Sequence, residues 1–160
     1  MRIEDEGPAI EAAIRRVVTA AFGRPDEATL VDDLRRSGDL LVSRVAIDGD
    51  AVVGHAALSR LASPPGGVAL APVSVIPERQ RGGIGSALVD DCIAVARRRD
   101  YRIMFVLGDP TFYARFGFSA DAARPFASPY AGPHLMAVQL AHDAVQPAPL
   151  VYAGAFNALG

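Results

Sequence analysis

The stretch Val73-Ser-Val-Ile-Pro77-Glu-Arg-Gln80-Arg-Gly-Gly83-Ile-Gly85-Ser-Ala-Leu88 decides the fold. A strand ends, glycines follow and a helix begins. At such a junction successive backbone N–H groups point outward unpaired with the helix dipole behind them, an anion site best suited to phosphate. Glycine lets the backbone approach the anion closely. Arg79 and Arg81 add charge that suits phosphate oxygens. Two nucleotide fingerprints fail here. A P-loop needs Gly-Lys-Ser/Thr after its glycines, and the chain has no Lys. A dinucleotide loop needs Gly-x-Gly-x-x-Gly, and counting from Gly83 puts Leu88 at the third glycine. Spacing alone leaves a ligand loop and an unliganded glycine turn both open.

Outward from this loop, the helix after it carries the apolar stripe Ile84, Leu88, Cys92, Val95 and Ala96, with Arg97-Arg98-Arg99 at its negative end. Upstream, the pattern predicts a strand over 1–4 and a helix opened by Gly7-Pro8 that carries Ile10, Ile14, Val17, Val18 and Ala21. Gly23-Arg-Pro25 breaks that helix, and Asp26 is placed to cap a second one with Leu30, Val31 and Leu34 on one face. Three strands follow: Leu40–Ile47, Val52–Leu61 after the hairpin signal Asp48-Gly49, and Val68–Ile76, where Pro72 departs from a regular ladder. Downstream come a strand over Arg102–Leu107, a short helix from Asp109-Pro110 to before Gly117, a strand over His134–Leu140 and one more at Leu150–Tyr152. The three-strand run reads as an antiparallel meander. The last part, strand–helix–strand, reads as a parallel crossover. The expectation is a single domain over residues 1–160: a mixed α/β (α+β), mostly antiparallel sheet flanked by helices.

Composition fits a globular domain. Of the 160 residues, 51% are hydrophobic and 21% charged, enough apolar surface to exclude disorder. The net charge of −2 argues against a nucleic-acid partner. One cysteine, Cys92, forms neither an internal disulfide nor a zinc site, which points to a reducing cytoplasm. No metal-ligand spacing connects the histidines. The acidic start Met1-Arg-Ile-Glu-Asp-Glu lacks the apolar run of a signal peptide. The charge-free stretches 61–77 and 144–160 both carry prolines, so no membrane span is expected.

The loop resembles the acetyl-CoA loop of the GNAT superfamily of N-acetyltransferases, whose signature is [Arg/Gln]-x-x-Gly-x-[Gly/Ala]. Gln80, Gly83 and Gly85 match it, behind Val73, Val75 and Pro77. A second block, Tyr113-Ala-Arg-Phe116-Gly117-Phe118, resembles the Tyr-x-x-x-Gly-Phe motif of the same superfamily. The run Leu107–Phe118, with Gly108-Asp109-Pro110, is similar to a bacterial subgroup, as is the ending Val151-Tyr-Ala-Gly-Ala-Phe156. The likeness follows element order over about residues 1–156 and is sharp at 73–88 and 107–118.

The resemblance implies a direct transfer of an acetyl group from acetyl-CoA to a primary amine, with no metal. The coenzyme would lie in a notch where the sheet splays. Backbone groups of Val73 and Val75 would pair with the pantetheine arm, with Ser74 between them in the coenzyme site, and the amide of Val75 or a neighbour would polarise the thioester carbonyl. The amides of Arg81, Gly82, Gly83, Ile84, Gly85 and Ser86 would hold the pyrophosphate, with Arg79, Gln80, Asp109 and Tyr113 completing the coenzyme site. Tyr113 matches the position that protonates the leaving thiolate. Three sources of a base stay open: Glu27 on the second helix, His55 on the strand Val53-Gly-His-Ala-Ala, and a water chain. The acceptor is a small-molecule or protein amine. A homodimer is an open arrangement, with the apolar tail 144–160 covering a partner or its own sheet edge. The alternative is a non-catalytic acyl-CoA-binding sensor or interaction module on the same fold.

Overall fold

The computed structural model describes residues 1–159; Gly160, the last residue of the expected tail cover, lies outside them. Two helices, α1 (Glu11–Phe22) and α2 (Asp26–Ser37), follow a first strand β1 (Arg2–Asp5) and end at Gly23 and Gly38. The residue capping α2 is Pro25. Asp26 is the first residue of the helix and makes no side-chain cap bond, so the expected Asp26 cap is replaced. Its carboxylate instead faces Arg24 at 3.5 Å.

The meander forms as expected from β2 (Leu40–Asp48), β3 (Ala51–Ser63) and β4 (Gly67–Val75), all antiparallel neighbours. Then come α3 (Ile84–Arg98), β5 (Ile103–Leu107), the short helices α4 (Pro110–Tyr113) and α5 (Ala120–Ala123), β6 (Leu135–Gln139) and β7 (Val151–Tyr152). The sheet order is β1-β2-β3-β4-β5-β6, with β7 joined to β3. The parallel crossover lies one step earlier than the sequence order predicts. β4 and β5 are parallel around α3, whereas β5 and β6, linked by short helices, are antiparallel. The reason is length: the four-residue α4 and α5 do not span a strand, while the fifteen-residue α3 does.

Each face of the sheet has its own apolar layer. Leu88, Val89, Cys92 and Ala96 of α3 pack on Ala56, Leu58 and Val68. Ile14, Val18, Ala28 and Val31 of α1 and α2 pack on Val45 and Ile47 of the other face. Arg44 ties β2 to α3 through two bonds to Asp91, at 2.6 and 3.1 Å. Arg35 of α2 holds Glu6 through two bonds of 2.9 Å. Such two-point arginine–carboxylate contacts fix orientation as well as charge. The tail pairs with its own chain: Tyr152 with Leu61 and Val151 with Ser63. Phe156 and Leu159 then pack with Leu30 and Leu34 of α2.

Candidate active site

The site begins with a defect in β4. Ala56 pairs with Val73 and Leu58 with Leu70, so Ala71 and Pro72 together stand opposite Ala57. Proline has no N–H for the ladder, and a bulge bends the strand that carries it. On its other side β4 pairs with β5 at three positions only, Gly67–Ala69 against Ile103–Phe105. Past this point Leu70–Val73 and Val106–Asp109 line one cleft of about 610 Å³. Strand backbone left without a partner offers an extended ligand a place as an added strand.

The glycine loop stands beyond the end of β4. Gln80 Nε2 donates to the Val75 carbonyl at 3.0 Å, so this side chain ties the loop to the strand. Arg79 reaches away to Asp48 of the β2–β3 hairpin at 2.7 Å, and that bond holds the Asp48 carboxyl below its usual range. Arg81 and Gly83 both have positive φ, 65° and 90°. Positive φ disfavours side chains, which gives Gly83 a physical reason at the helix entrance. The first bond joining this turn to α3 runs from Ala87 N–H to the Gly83 carbonyl, at 3.0 Å. The N–H groups of Ile84, Gly85 and Ser86 therefore precede the helix ladder and stay available to an anion. The side chains of Ile84 and of Ser74 on β4 are both buried, so each residue offers a ligand only its backbone. Gly82 is exposed, and a side chain at Gly85 would lie 3.8 Å from Val75 and 3.9 Å from Phe112.

A further arginine stands at this helix entrance. Arg115 Nη2 donates to Ser86 Oγ at 2.8 Å, with its guanidinium 4.8 Å from the Phe112 ring centre and 5.3 Å from that of Phe116. Stacking and the hydroxyl together hold the charge beside the free amides. The Arg-Phe-Gly-Phe block contained this residue, but only the fold shows that it reaches position 86.

Tyr113 lines the same cleft. Asp109 accepts from Thr111 N–H at 3.0 Å and so caps α4, while the Tyr113 N–H bonds the Asp109 carbonyl at 3.0 Å. The ring crosses Gly108 so closely that a Cβ there would meet Tyr113 Cε2 at 2.6 Å. Only glycine leaves room for the ring. Burial pushes the Tyr113 hydroxyl up to about 12, so it holds its proton at neutral pH.

The other half of the cleft comes from α1, α2 and the tail. Glu27 is nearly buried and lines the cleft, gripped by Arg24 at 3.0 and 2.6 Å. The Arg24 hydrogen bonds hold the carboxyl below the usual range, leaving it an anion and a weak base. Phe22, Leu30, Tyr130, Tyr152, Phe156 and Leu159 complete this wall. The sequence alone assigns no site role to Arg24 or Tyr130, and the tail block with Tyr152 and Phe156 enters only as a likeness to a subgroup, because no local motif joins segments so far apart.

His55 does not line the cleft. It is 0% exposed, and its Nε2 lies 2.8 Å from Ser43 Oγ. Burial pushes its pKa down to about 4, so the imidazole is neutral and part of the core. The alternation Val53, His55, Ala57, Ser59 faces the packed interior, which removes His55 from direct contact with an acceptor. Among the described residues no group of three or more His, Cys, Asp or Glu side chains is placed to hold a metal ion. No helix among them is long and apolar enough to cross a membrane.

Residues 9–118 match the model of the acetyltransferase (GNAT) family. The chain belongs to the GNAT family. It is 35% identical over 127 residues to the uncharacterized N-acetyltransferase YhbS of Escherichia coli (strain K12), covering 76% of this chain and 73% of YhbS. The crystal structure of Escherichia coli YhbS in complex with CoA superposes with a TM-score of 0.90 at 29% identity, over 99% of this chain and 93% of that one. A GNAT family acetyltransferase from Brucella melitensis, solved in complex with acetyl-CoA, gives 0.82 at 32% identity over 97% of each. The activity is acetyl-CoA-dependent acetyl transfer to an amine, and the comparisons favour this enzyme over a non-catalytic module.

Proposed function

We propose that the GNAT cleft binds acetyl-CoA between β4 and β5 and presents its thioester to a primary amine held at the α1–α2 side. One observation carries the reading: the strands part beside the free amides of α3, and Tyr113 sits in the same opening. The amides of 81–86 and Arg115 take the pyrophosphate. The main chain of Val73 to Val75 takes the pantetheine arm, and the Val75 N–H faces the thioester oxygen.

The chemistry follows from this placement. The acceptor enters as an ammonium and releases one proton to water. Its nitrogen lone pair then attacks the acetyl carbon, forming the C–N bond, and the tetrahedral adduct expels sulfur as the C–S bond breaks. Tyr113 gives its proton to the departing sulfur, and the proton lost from nitrogen restores the phenol through water. The sum is amide, CoA thiol and one proton released. A tyrosine kept protonated by burial suits the donor role, and Glu27, kept ionised, suits holding an ammonium rather than accepting its proton. A chain with one buried thiol fits work in the cytoplasm.

Release of CoA thiol from acetyl-CoA on addition of amines tests the transfer. Tyr113→Phe should lower kcat by about 100-fold with the KM for acetyl-CoA little changed. An unchanged kcat would remove Tyr113 from the reaction.

A further inference from the structure

Resting on the transfer proposed above, we infer that the acceptor is a small monoamine with a flat, apolar body of the arylalkylamine kind, and not a polycation. The first argument is charge. The charged side chains around the cleft are Arg24, Glu27 and Asp109, a net of one negative charge. Asp109 is occupied at the start of α4. Glu27 is the carboxylate that α2 contributes to the lining, and Arg24 bonds both of its oxygens. Each oxygen keeps a lone pair beyond the one Arg24 uses, so this carboxylate has room to accept from one ammonium. A polyamine or aminoglycoside would bring several charges to an apolar wall whose nearest other carboxylates on that side, Asp26 and Asp33, lie beyond Leu30 and Leu159, and charges left on the wall itself would lose water without compensation. Arg24 also weakens the grip of Glu27, so the ammonium is held without being locked in its charged form.

The second argument is the wall. Tyr130 and Tyr152 meet edge to face at 5.9 Å, and Tyr152 and Phe156 lie 5.1 Å apart. Phe22 and Tyr130 on this wall stay 44% and 53% exposed, and Leu107, 51% exposed, faces the same cleft from the end of β5. They make up three of the five large hydrophobic side chains that face water among the described residues. Apolar surface concentrated at one opening marks a ligand site rather than scattered exposure. An aromatic body gains both apolar burial and edge-to-face contact there. The third argument is size. The cleft of about 610 Å³ also has to receive the end of the pantetheine arm, which leaves room for a small acceptor.

The test measures CoA thiol release at fixed acetyl-CoA with 2-phenylethylamine, spermidine and kanamycin, alongside thermal unfolding with acetyl-CoA. The expected result is a kcat/KM for 2-phenylethylamine at least about tenfold above either polycation. Tyr130→Ala, at an exposed position that folding tolerates, should raise the KM for 2-phenylethylamine about fivefold and leave that for acetyl-CoA unmoved. A preference for spermidine or kanamycin overturns the inference, as does a Tyr130→Ala enzyme with an unchanged amine KM. Stabilisation by acetyl-CoA with no turnover of 2-phenylethylamine also overturns it and leaves the coenzyme site standing. No stabilisation by acetyl-CoA overturns the transfer reading itself.

Discussion

The two halves of the cleft are built by different means. The half we propose for the coenzyme is a run of backbone: a bulged strand, a turn with two positive φ values and the first amides of one helix, all within residues 71–87. The half we propose for the acceptor is a set of side chains from α1, α2, the segment before β6 and the tail. Backbone geometry depends on glycine and proline at fixed spacing, so it leaves a mark in the sequence. A wall assembled from distant segments leaves none, because each residue looks locally like an ordinary helix or loop residue. One half is thereby common to a family, and the other is free to set the acceptor.

The largest expected effect concerns the support under the acceptor half. Beneath α1 and α2 lies the buried His55–Ser43 pair, while α3 rests on an apolar stripe. His55 has a folded pKa of about 4 against an ordinary 6.5. The unfolded chain therefore takes up the proton first. Stability is whole above pH 6.5 and falls by about 3 kcal/mol on acidification to pH 4. The Glu6–Arg35 pair works in a lower window: Glu6 is held below its usual range, although burial alone would raise it, so its loss comes as pH drops through the carboxylate range. Urea unfolding across pH 4–7 checks this. His55→Gln should flatten the upper part of the slope, and an identical slope in the variant would assign the acid sensitivity elsewhere.

A tenfold effect is expected in the coenzyme half. At φ 90°, Gly83→Ala carries a left-handed penalty of about 1–2 kcal/mol. If binding has to hold that turn in place, the KM for acetyl-CoA rises about tenfold and the KM for the amine stays put. The smallest effect belongs to the acceptor half. Glu27→Gln keeps the shape and removes the charge, so the amine KM should rise about fivefold while acetyl-CoA is unaffected. Steady-state kinetics with each substrate varied separates the two. A variant that moved both constants together would erase the division between the halves.

How much was legible follows the same line. The strand–loop–helix of 73–88 and the Tyr113 block carried the family, and the elements fell close to their expected bounds. Asp26 misled because Pro25 already supplies the turn into α2. Arg79 and Arg115 look alike as isolated arginines. Only the fold shows that Arg79 bonds Asp48 of the hairpin and that Arg115 bonds the hydroxyl of Ser86. His55 misled because alternation along β3 does not reveal that helices cover both faces of the sheet, so that either face is buried.

Thermal unfolding with and without acetyl-CoA, with ATP and NAD as controls, tests most directly that the parted strands and the loop form the coenzyme site. At 100 times its dissociation constant, acetyl-CoA should add about 2.7 kcal/mol and raise the midpoint by roughly 5–10 °C, with neither control matching it. No rise at millimolar acetyl-CoA, or an equal rise with ATP, would contradict the assignment of the cleft.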